Sequence, residues 1–172
     1  MPRIVRCELP AESLLGRYVG GGAYADCYTT QVPFDVSHAQ FIEAFYTTAL
    51  FKLERVILSR FASRPSSDAD VGRLARGEAD AFAAWSVEDR APNQLLLRDF
   101  TGRTRSWLMV AAPTPAGTQL FFGSAVVPAA DTNGRAGLGF AFNALLGFHK
   151  LYSRALLRAA TSRLERMHAA PR

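Results

Sequence analysis

The stretch QLLLRDFTGRTRSWLMVAA, residues 94–112, decides the fold because it holds two candidate strands and the tight turn between them. The strands are predicted at Gln94–Phe100 and Arg103–Ala112, with Thr101-Gly102 at the hairpin tip. So short a connection requires antiparallel neighbours. The resulting register sets Leu97 opposite Ser106 and Leu95 opposite Leu108, and opposed residues share one face of a sheet.

Three further strands are predicted outward from this hairpin. They cover Phe82–Asp89, Thr118–Val127, and the early segment Ala23–Val32, which Pro33 closes. The connections within residues 81–127 are short and rich in glycine, proline and asparagine, so these strands are antiparallel neighbours. The sequence therefore predicts an antiparallel sheet of at least five strands.

The two faces of this sheet differ in character. One face is mostly apolar and is predicted to form the interior, with Ser106 and Ser124 as small polar groups inside it. Its apolar members are Leu95, Leu97, Leu108, Val110, Leu120, Phe122 and Val126. The opposite face is mixed, with Arg98, Arg105, Trp107, Met109, Gln119 and Phe121. Its large apolar residues require a cover, which is either the N-terminal segment or a partner chain.

Helical patterns lie on both sides of the strands. One helical region begins at Ser37, an N-cap with Gln40 three residues on, and runs to about Ala62. Its apolar face changes at Thr47-Thr48, which predicts a break there: either two helices or one helix with a kink. A short helix is predicted at Asp70–Arg76, and a long one at Leu138–Met167. The apolar stripe of the long helix comprises Leu138, Phe142, Leu145, Leu146, Tyr152, Leu156, Ala160 and Leu164, with Asn143, Lys150, Arg154 and Arg158 opposite.

Length and composition favour a single α+β domain. The 172 residues are 49% hydrophobic, and they divide into a lead-in at 1–22 and a body at 23–167. No apolar run reaches the ~20 residues that a membrane span needs, and the N-terminus lacks a secretory pattern, so a cytoplasmic location is expected. The net charge of +5 comes from arginines scattered along the chain, which does not favour a nucleic-acid partner.

Cysteine and histidine spacing predicts neither a metal site nor a cofactor. His38, His149 and His168 are far apart in sequence, and neither cysteine has a neighbour at metal-ligand spacing. Cys7 and Cys27 could pair in principle, but a domain of this size needs no disulfide. A buried free thiol is the favoured interpretation of Cys27.

The order of an early strand, two helices, antiparallel strands and a long C-terminal helix resembles the helix-grip superfamily. This group includes START domains, Bet v 1-like proteins and polyketide cyclases. Tyr24–Tyr28, Gly123–Val127 and Leu145–Tyr152 look like segments of a bacterial family in that group whose function is uncharacterised. The resemblance implies a curved antiparallel sheet wrapped around the C-terminal helix, with six strands between the helices where the pattern here yields four. It also implies a cavity that accepts a small apolar or aromatic molecule.

Three functions compete on this evidence. The leading one is small-molecule binding by Ser106, Leu108, Phe122, Ser124, Phe142, Leu145, His149 and Tyr152. The second is a cyclase- or hydrolase-type enzyme with His149 as general acid or base and Tyr152 or Asp26 assisting, although no Gly-x-Ser-x-Gly motif assigns catalytic residues. The third is an interaction module, such as a homodimer, formed through the mixed face. His149 itself is either a cavity residue or a structural histidine bonded to the sheet.

Overall fold

The protein is built on one antiparallel sheet, seen in a computed structural model that describes residues 3–20, 23–53, 67–127 and 140–170, with side chains of the last stretch from 151. The strands are β1 Val5–Arg6, β2 Tyr24–Val32, β3 Ala81–Phe82, β4 Trp85–Ala91, β5 Gln94–Asp99, β6 Thr104–Val110 and β7 Thr118–Val126. The helices are α1 His38–Tyr46, α2 Asp68–Ala75 and α3 Phe140–Ala169, with a 3-10 turn at Leu14–Tyr18.

The sheet has seven described strands in the order β1-β2-β7-β6-β5-β4-β3, all paired antiparallel, with β1 and β3 at its open edges. Leu95 pairs with Leu108 and Leu97 with Ser106, so the predicted hairpin register is confirmed. The longest ladder joins β2 to β7, from Tyr24 and Val126 to Val32 and Thr118. The curved, unclosed sheet with its long C-terminal helix has the α+β helix-grip architecture that the sequence predicted.

One strand prediction needs correction. Residues 82–89 were expected to form a single strand, but β3 ends at Phe82 and β4 begins only at Trp85. Ala83 lies between them with a φ of 53°, in the left-handed region, which interrupts the regular strand conformation. Within the described residues, the split gives five strands between α2 and α3 in place of the predicted four. The two-residue strand β1, inside the lead-in, was also not predicted.

The first helix begins and ends where its sequence indicates. Ser37 and Gln40 form a capping box, in which each side chain bonds to the other's backbone N–H. At the other end the Thr47 hydroxyl donates to the Glu43 carbonyl at 2.6 Å, and the Thr48 hydroxyl donates to the Phe45 carbonyl at 3.0 Å. These side-chain bonds compete with helix continuation, which explains the predicted break. The helix resumes at 49–53, and residues 54–66 lie outside the described part of the chain.

The second helix is capped in the same way. It starts at Asp68, two residues before the predicted Asp70, because Ser67 is its N-cap. The Ser67 hydroxyl accepts from the Asp70 N–H, and the Asp70 carboxylate accepts from the Ser67 N–H at 2.7 Å. Two acidic residues in the first turn, Asp68 and Asp70, also suit the positive end of the helix dipole.

The inner face of the sheet, defined by Leu95, Leu97, Ser106, Leu108, Leu120, Phe122 and Ser124, packs against α1 and α3. Leu156, Ala160 and Leu164 of α3 are buried there, and Arg154 and Arg158 are exposed, as the helix phase predicted. None of the helices in the described ranges combines the length and apolarity that crossing a bilayer requires.

The outer face, defined by Leu96, Trp107, Met109, Phe121 and Ala125, is covered by the N-terminal segment, residues 3–20. Leu15 inserts over Gly123, where a Cβ would come within 2.7 Å of the leucine. Trp107 and Leu15 are fully buried as a result. Of the two predicted covers, the N-terminal segment therefore occupies this face.

Polar contacts hold the N-terminal segment in register on that face. The buried Gln94 accepts from the Leu14 N–H at 3.0 Å and the Trp107 indole N–H at 2.9 Å, and its amide donates to the Glu12 carbonyl at 3.1 Å. Nearby, Arg105 forms an ion pair with Glu88 at 2.6 Å and lies over the Tyr18 ring. Buried polar groups of the outer face are thus matched to the segment that covers them.

Candidate ligand site on the inner face of the sheet

Three polar side chains lie side by side across the inner face. The register sets Asp26 of β2 opposite Ser124 of β7, and Ser124 opposite Ser106 of β6. All three are buried, with 3%, 2% and 5% of their surface exposed. We call them the polar row. Apolar neighbours such as Leu108 and Phe122 surround it, so its oxygen atoms lie in an environment of low polarity.

Each end of the polar row forms a hydrogen bond through a serine hydroxyl. The Ser124 hydroxyl donates to Asp26 Oδ1 at 2.6 Å, and the Tyr24 hydroxyl approaches Asp26 Oδ2 at 3.4 Å. At the other end the hydroxyls of Ser106 and Tyr46 share a hydrogen bond of 2.9 Å. Tyr46 comes from the last turn of α1 and is fully buried. One hydrogen bond thus links β2 to β7 and another links β6 to α1, and the two pairs are neighbours in the β6–β7 ladder.

The tyrosines beside Asp26 stay protonated under ordinary conditions. Burial, followed by the charge of Asp26, raises the pKa of Tyr24 to about 12. The same two causes, in the same order, raise the pKa of Tyr28, and Arg6 and Arg154 partly oppose the shift. Both phenols are therefore neutral near pH 7 and keep the proton with which they can donate to Asp26.

Two buried hydroxyls lie on elements that enclose this layer. Thr30 Oγ1, on β2 opposite Leu120, and Ser153 Oγ, on α3, have no hydrogen-bond partner in the described part of the chain. Both residues are almost fully buried, at 3% and 1% exposed. Buried hydroxyls without a partner are uncommon, because their desolvation is not compensated.

An open cavity of about 560 Å³ lies at the β1 edge of the sheet, beside the first described side chains of α3. Tyr28 and the buried Ile4 form part of its wall, and Leu151 of α3, which is largely exposed, also lines it. Arg3, Arg6 and Arg154 also line it, so the cavity is strongly basic. Because Arg6 pairs with Tyr28 in the ladder, both lie on the inner side of the sheet.

The sequence-predicted site residues divide into two groups. Ser106, Leu108, Phe122 and Ser124 lie together on the inner face, and Tyr152 is half-buried against the same core. Three more belong to α3, but their side chains lie outside the described residues: Phe142, Leu145 and His149.

Two members of the arrangement were missed or undervalued by sequence reasoning. Tyr46 was not proposed, since it lies among apolar helix residues that look like ordinary core. Its hydroxyl was the available signal, because a buried tyrosine hydroxyl usually needs a partner. Asp26 entered only as an assistant in the enzyme hypothesis, because the facing of β2 was not fixed until its register with β7 was known.

Among the described residues, no cluster of three or more His, Cys, Asp or Glu side chains could hold a metal ion. The polar row instead offers one carboxylate and two hydroxyls, and Tyr24 and Tyr46 add a hydroxyl each. Such a set can orient the polar part of a small organic molecule by hydrogen bonds.

Comparison with known proteins adds little to this geometry. No protein-family model matches the chain, and no curated protein matches it. Among solved structures, the crystal structure of CalU16 from Micromonospora echinospora is similar at 13% sequence identity, over 98% of this chain and 96% of that one, with a TM-score of 0.34. A likeness this weak supports no conclusion about ligand or activity.

Proposed function

We propose that the protein binds a small, mostly apolar or aromatic molecule between the inner face of the sheet and α3. The observation that carries the proposal is the buried polar row inside an apolar layer. Sites for small organic molecules are mostly apolar, with a few placed polar groups that fix orientation. Burying a carboxylate is costly, and apolar residues would fill a purely structural layer at lower cost.

The buried hydroxyls of Thr30 and Ser153 support the same proposal. A ligand with a carbonyl, hydroxyl or carboxyl group would give them the partner that the described chain does not. The two hydroxyls come from β2 and α3, the two elements between which the ligand would lie.

His149, Phe142, Leu145 and Tyr152 are proposed to complete the site from α3. The support for His149 is its spacing in the sequence: it precedes the buried residues Ser153, Leu156 and Ala160 by four, seven and eleven positions, which is the spacing of one helix face. A neutral imidazole there would add both a donor and an acceptor.

The basic cavity at the β1 edge is proposed as the way in. Its arginines favour ligands that carry a negative group, because a cluster of like charge raises the local concentration of the opposite charge. Of these arginines, Arg154 lies on the exposed side of α3. Arg158 is exposed one turn further along the same helix but does not line the cavity, so it serves as the control for a change at Arg154.

We also propose that the chain belongs to a bacterial helix-grip family without characterised function. Two of the segments that suggested this resemblance, Tyr24–Tyr28 and Gly123–Val127, are paired strands, and they contribute Asp26 and Ser124 to the polar row.

The test is a fluorescence titration with 8-anilinonaphthalene-1-sulfonate, an aromatic probe with an anionic group. The folded protein is expected to bind it saturably, and Ser106→Ala is expected to weaken binding by roughly 3–10-fold through loss of one hydrogen-bonding group. Ser86→Ala on β4, a serine outside the polar row, is the matched control and should bind as the wild type does. Arg154→Ala should weaken binding at low salt more than Arg158→Ala does.

Near-UV circular dichroism of each variant distinguishes a filled site from a loosened core, which also binds this probe. Absence of saturable binding by the folded wild type would contradict the proposal. Equal effects of Ser106→Ala and Ser86→Ala would remove the polar row from the site.

An acid–base enzyme is the second candidate, and the contacts of Asp26 favour it. A buried carboxylate that accepts from Ser124 at 2.6 Å, with a tyrosine hydroxyl on its second oxygen, is a suitable group for moving a proton. Ligand recovered with the purified protein would be incubated with wild type and Asp26→Asn and followed by mass spectrometry. Conversion by the wild type alone, with binding retained in the variant, would establish catalysis. Recovery of unchanged ligand from both would leave binding as the function.

A further inference from the structure

The two cysteines of the chain lie next to each other at the edge of the outer face. Their Sγ atoms are 3.1 Å apart, a thiol–thiol hydrogen-bond distance, and both thiols are free. The Cys7 N–H donates to the Cys27 carbonyl at 3.0 Å. That bond extends the β1–β2 ladder by one residue, since Val5 pairs with Thr29 and Arg6 with Tyr28.

The backbone geometry of this pair suits a disulfide. Residues that face each other across an antiparallel ladder have Cα atoms about 4.5–5.5 Å apart, which lies within the usual 4.4–6.8 Å range for disulfide-linked cysteines. Because opposed side chains share a face, both thiols point to the outer side of the sheet. A bond between them requires a change of side-chain torsion and little movement of the backbone.

The two thiols differ in access and in acidity. Cys7 is half-buried, and Cys27 is 2% exposed. An open groove of about 1020 Å³ between the N-terminal segment and β2 is lined by both residues. The hydrogen bond from Cys27 lowers the pKa of Cys7, while the same contact and burial raise the pKa of Cys27. Cys7 is therefore the nucleophile of the pair, and Cys27 is the resolving thiol, which reacts in the second step.

We propose that Cys7 and Cys27 are a reversible redox pair that hydrogen peroxide converts to a disulfide. The Cys7 thiolate attacks one peroxide oxygen, the O–O bond breaks, and the products are a sulfenic acid and hydroxide, which takes up the proton that Cys7 released. The Cys27 sulfur then attacks the Cys7 sulfur, the S–O bond breaks, and the hydroxyl leaves as water with the Cys27 proton. Two thiols and one peroxide thus give one disulfide and two waters, and a dithiol reductant reverses the change.

The disulfide would fix the N-terminal segment on the sheet. The chain between the two cysteines includes the 3-10 turn that carries Leu15, the residue that covers Gly123. Closing this loop covalently restricts the unfolded chain and prevents the segment from leaving the outer face. Oxidation would therefore stabilise the cover of the outer face, independently of any ligand on the inner face.

The experiment treats the reduced full-length protein with a small excess of hydrogen peroxide and measures intact mass and melting temperature. Because the chain has two cysteines, an intramolecular disulfide is recognised by an intact monomer mass that is lower by two hydrogen atoms. The oxidised wild type is expected to melt about 5–10 °C higher than the reduced protein, and dithiothreitol should restore the lower value.

Cys7→Ser and Cys27→Ser are the controls, and each should show no peroxide-dependent rise in melting temperature. Trapping with dimedone should label Cys7 in the Cys27→Ser variant more than Cys27 in the Cys7→Ser variant. A wild type that gains oxygen without losing two hydrogens, or that cross-links into dimers, would overturn the proposal. Since the decisive measurement uses the wild-type chain, it does not depend on the folding of either variant.

Discussion

The inner and outer faces of the sheet are both buried, but they are buried by different means. Two helices, α1 and α3, cover the inner face, and a short N-terminal segment with one 3-10 turn covers the outer face. Polar groups on the outer face, such as Gln94 and Arg105, are bonded to the segment above them. On the inner side a carboxylate and several hydroxyls lie within an apolar layer, and two hydroxyls lack a partner in the described chain. The outer-face polar groups therefore attach the N-terminal segment, and the two inner-side hydroxyls without a partner among the described residues support the proposal that a ligand binds there.

The sharpest test of whether both faces are true cores uses neighbouring residues on one strand. Leu95 faces inward and Leu96 outward, and both are fully buried. Each change to alanine is expected to lower the free energy of unfolding by about 2–5 kcal/mol, because each leaves a cavity in a packed layer. Chemical denaturation of both variants measures the two losses.

Comparable losses would show that the N-terminal segment packs as a core and not as a loose cover. A loss below about 0.5 kcal/mol for Leu96→Ala, with a full loss for Leu95→Ala, would show that the outer face is not a core. Leu151→Ala on an exposed position of α3 is the control for leucine loss without burial.

The sequence predicted the central hairpin and its register because a two-residue turn allows few alternatives, and this register fixed which residues share the inner face. It did not predict the break at Ala83, since nothing in the identity of an alanine signals a left-handed backbone. The sequence did not decide whether the N-terminal segment or a partner chain covers the outer face, because the lead-in has no periodicity that would predict the contact of Leu15 with Gly123. Ser106 and Ser124 were predicted on one face, but their links to Tyr46 and Asp26 depend on contacts between distant segments.

A second test concerns electrostatics on the inner side, where His38 begins α1. Burial lowers the pKa of His38 to about 4, and its Nε2 has no hydrogen-bond partner among the described residues. Between pH about 6.5 and about 4 the unfolded chain therefore binds a proton that the folded chain does not. The free energy of unfolding is expected to fall by roughly 2–3 kcal/mol as the pH drops through this window.

Denaturation curves of wild type and His38→Gln across that pH range measure the effect. The variant should lose most of the slope, and His168→Gln, at the exposed end of α3, should retain it. If wild type and His38→Gln show the same pH dependence, His38 is not desolvated as described.

The smallest expected effect concerns the close contact that joins the outer face to its cover. A Cβ at Gly123 would lie 2.7 Å from Leu15 Cδ2 and 3.0 Å from both the Asp26 carbonyl oxygen and Trp107. Gly123→Ala is expected to lower the free energy of unfolding by about 1–3 kcal/mol, since a well-packed site must shift to admit a methyl group. Gly16→Ala, where nothing lies within 4 Å of the new methyl group, should cost far less. Equal costs would show that the N-terminal segment is not held against β7.

The central proposal, that a small molecule binds at the inner face of the sheet, is tested most directly by methyl NMR. The protein would be labelled at leucine methyl groups and titrated with 8-anilinonaphthalene-1-sulfonate, with Leu108 and Leu120 reporting on the inner face and Leu15 and Leu96 on the outer face. The account predicts saturable changes in the methyl chemical shifts of Leu108 and Leu120, whereas those of Leu15 and Leu96 do not change. Saturable shifts at Leu15 and Leu96, or no shift at Leu108 and Leu120, would contradict it.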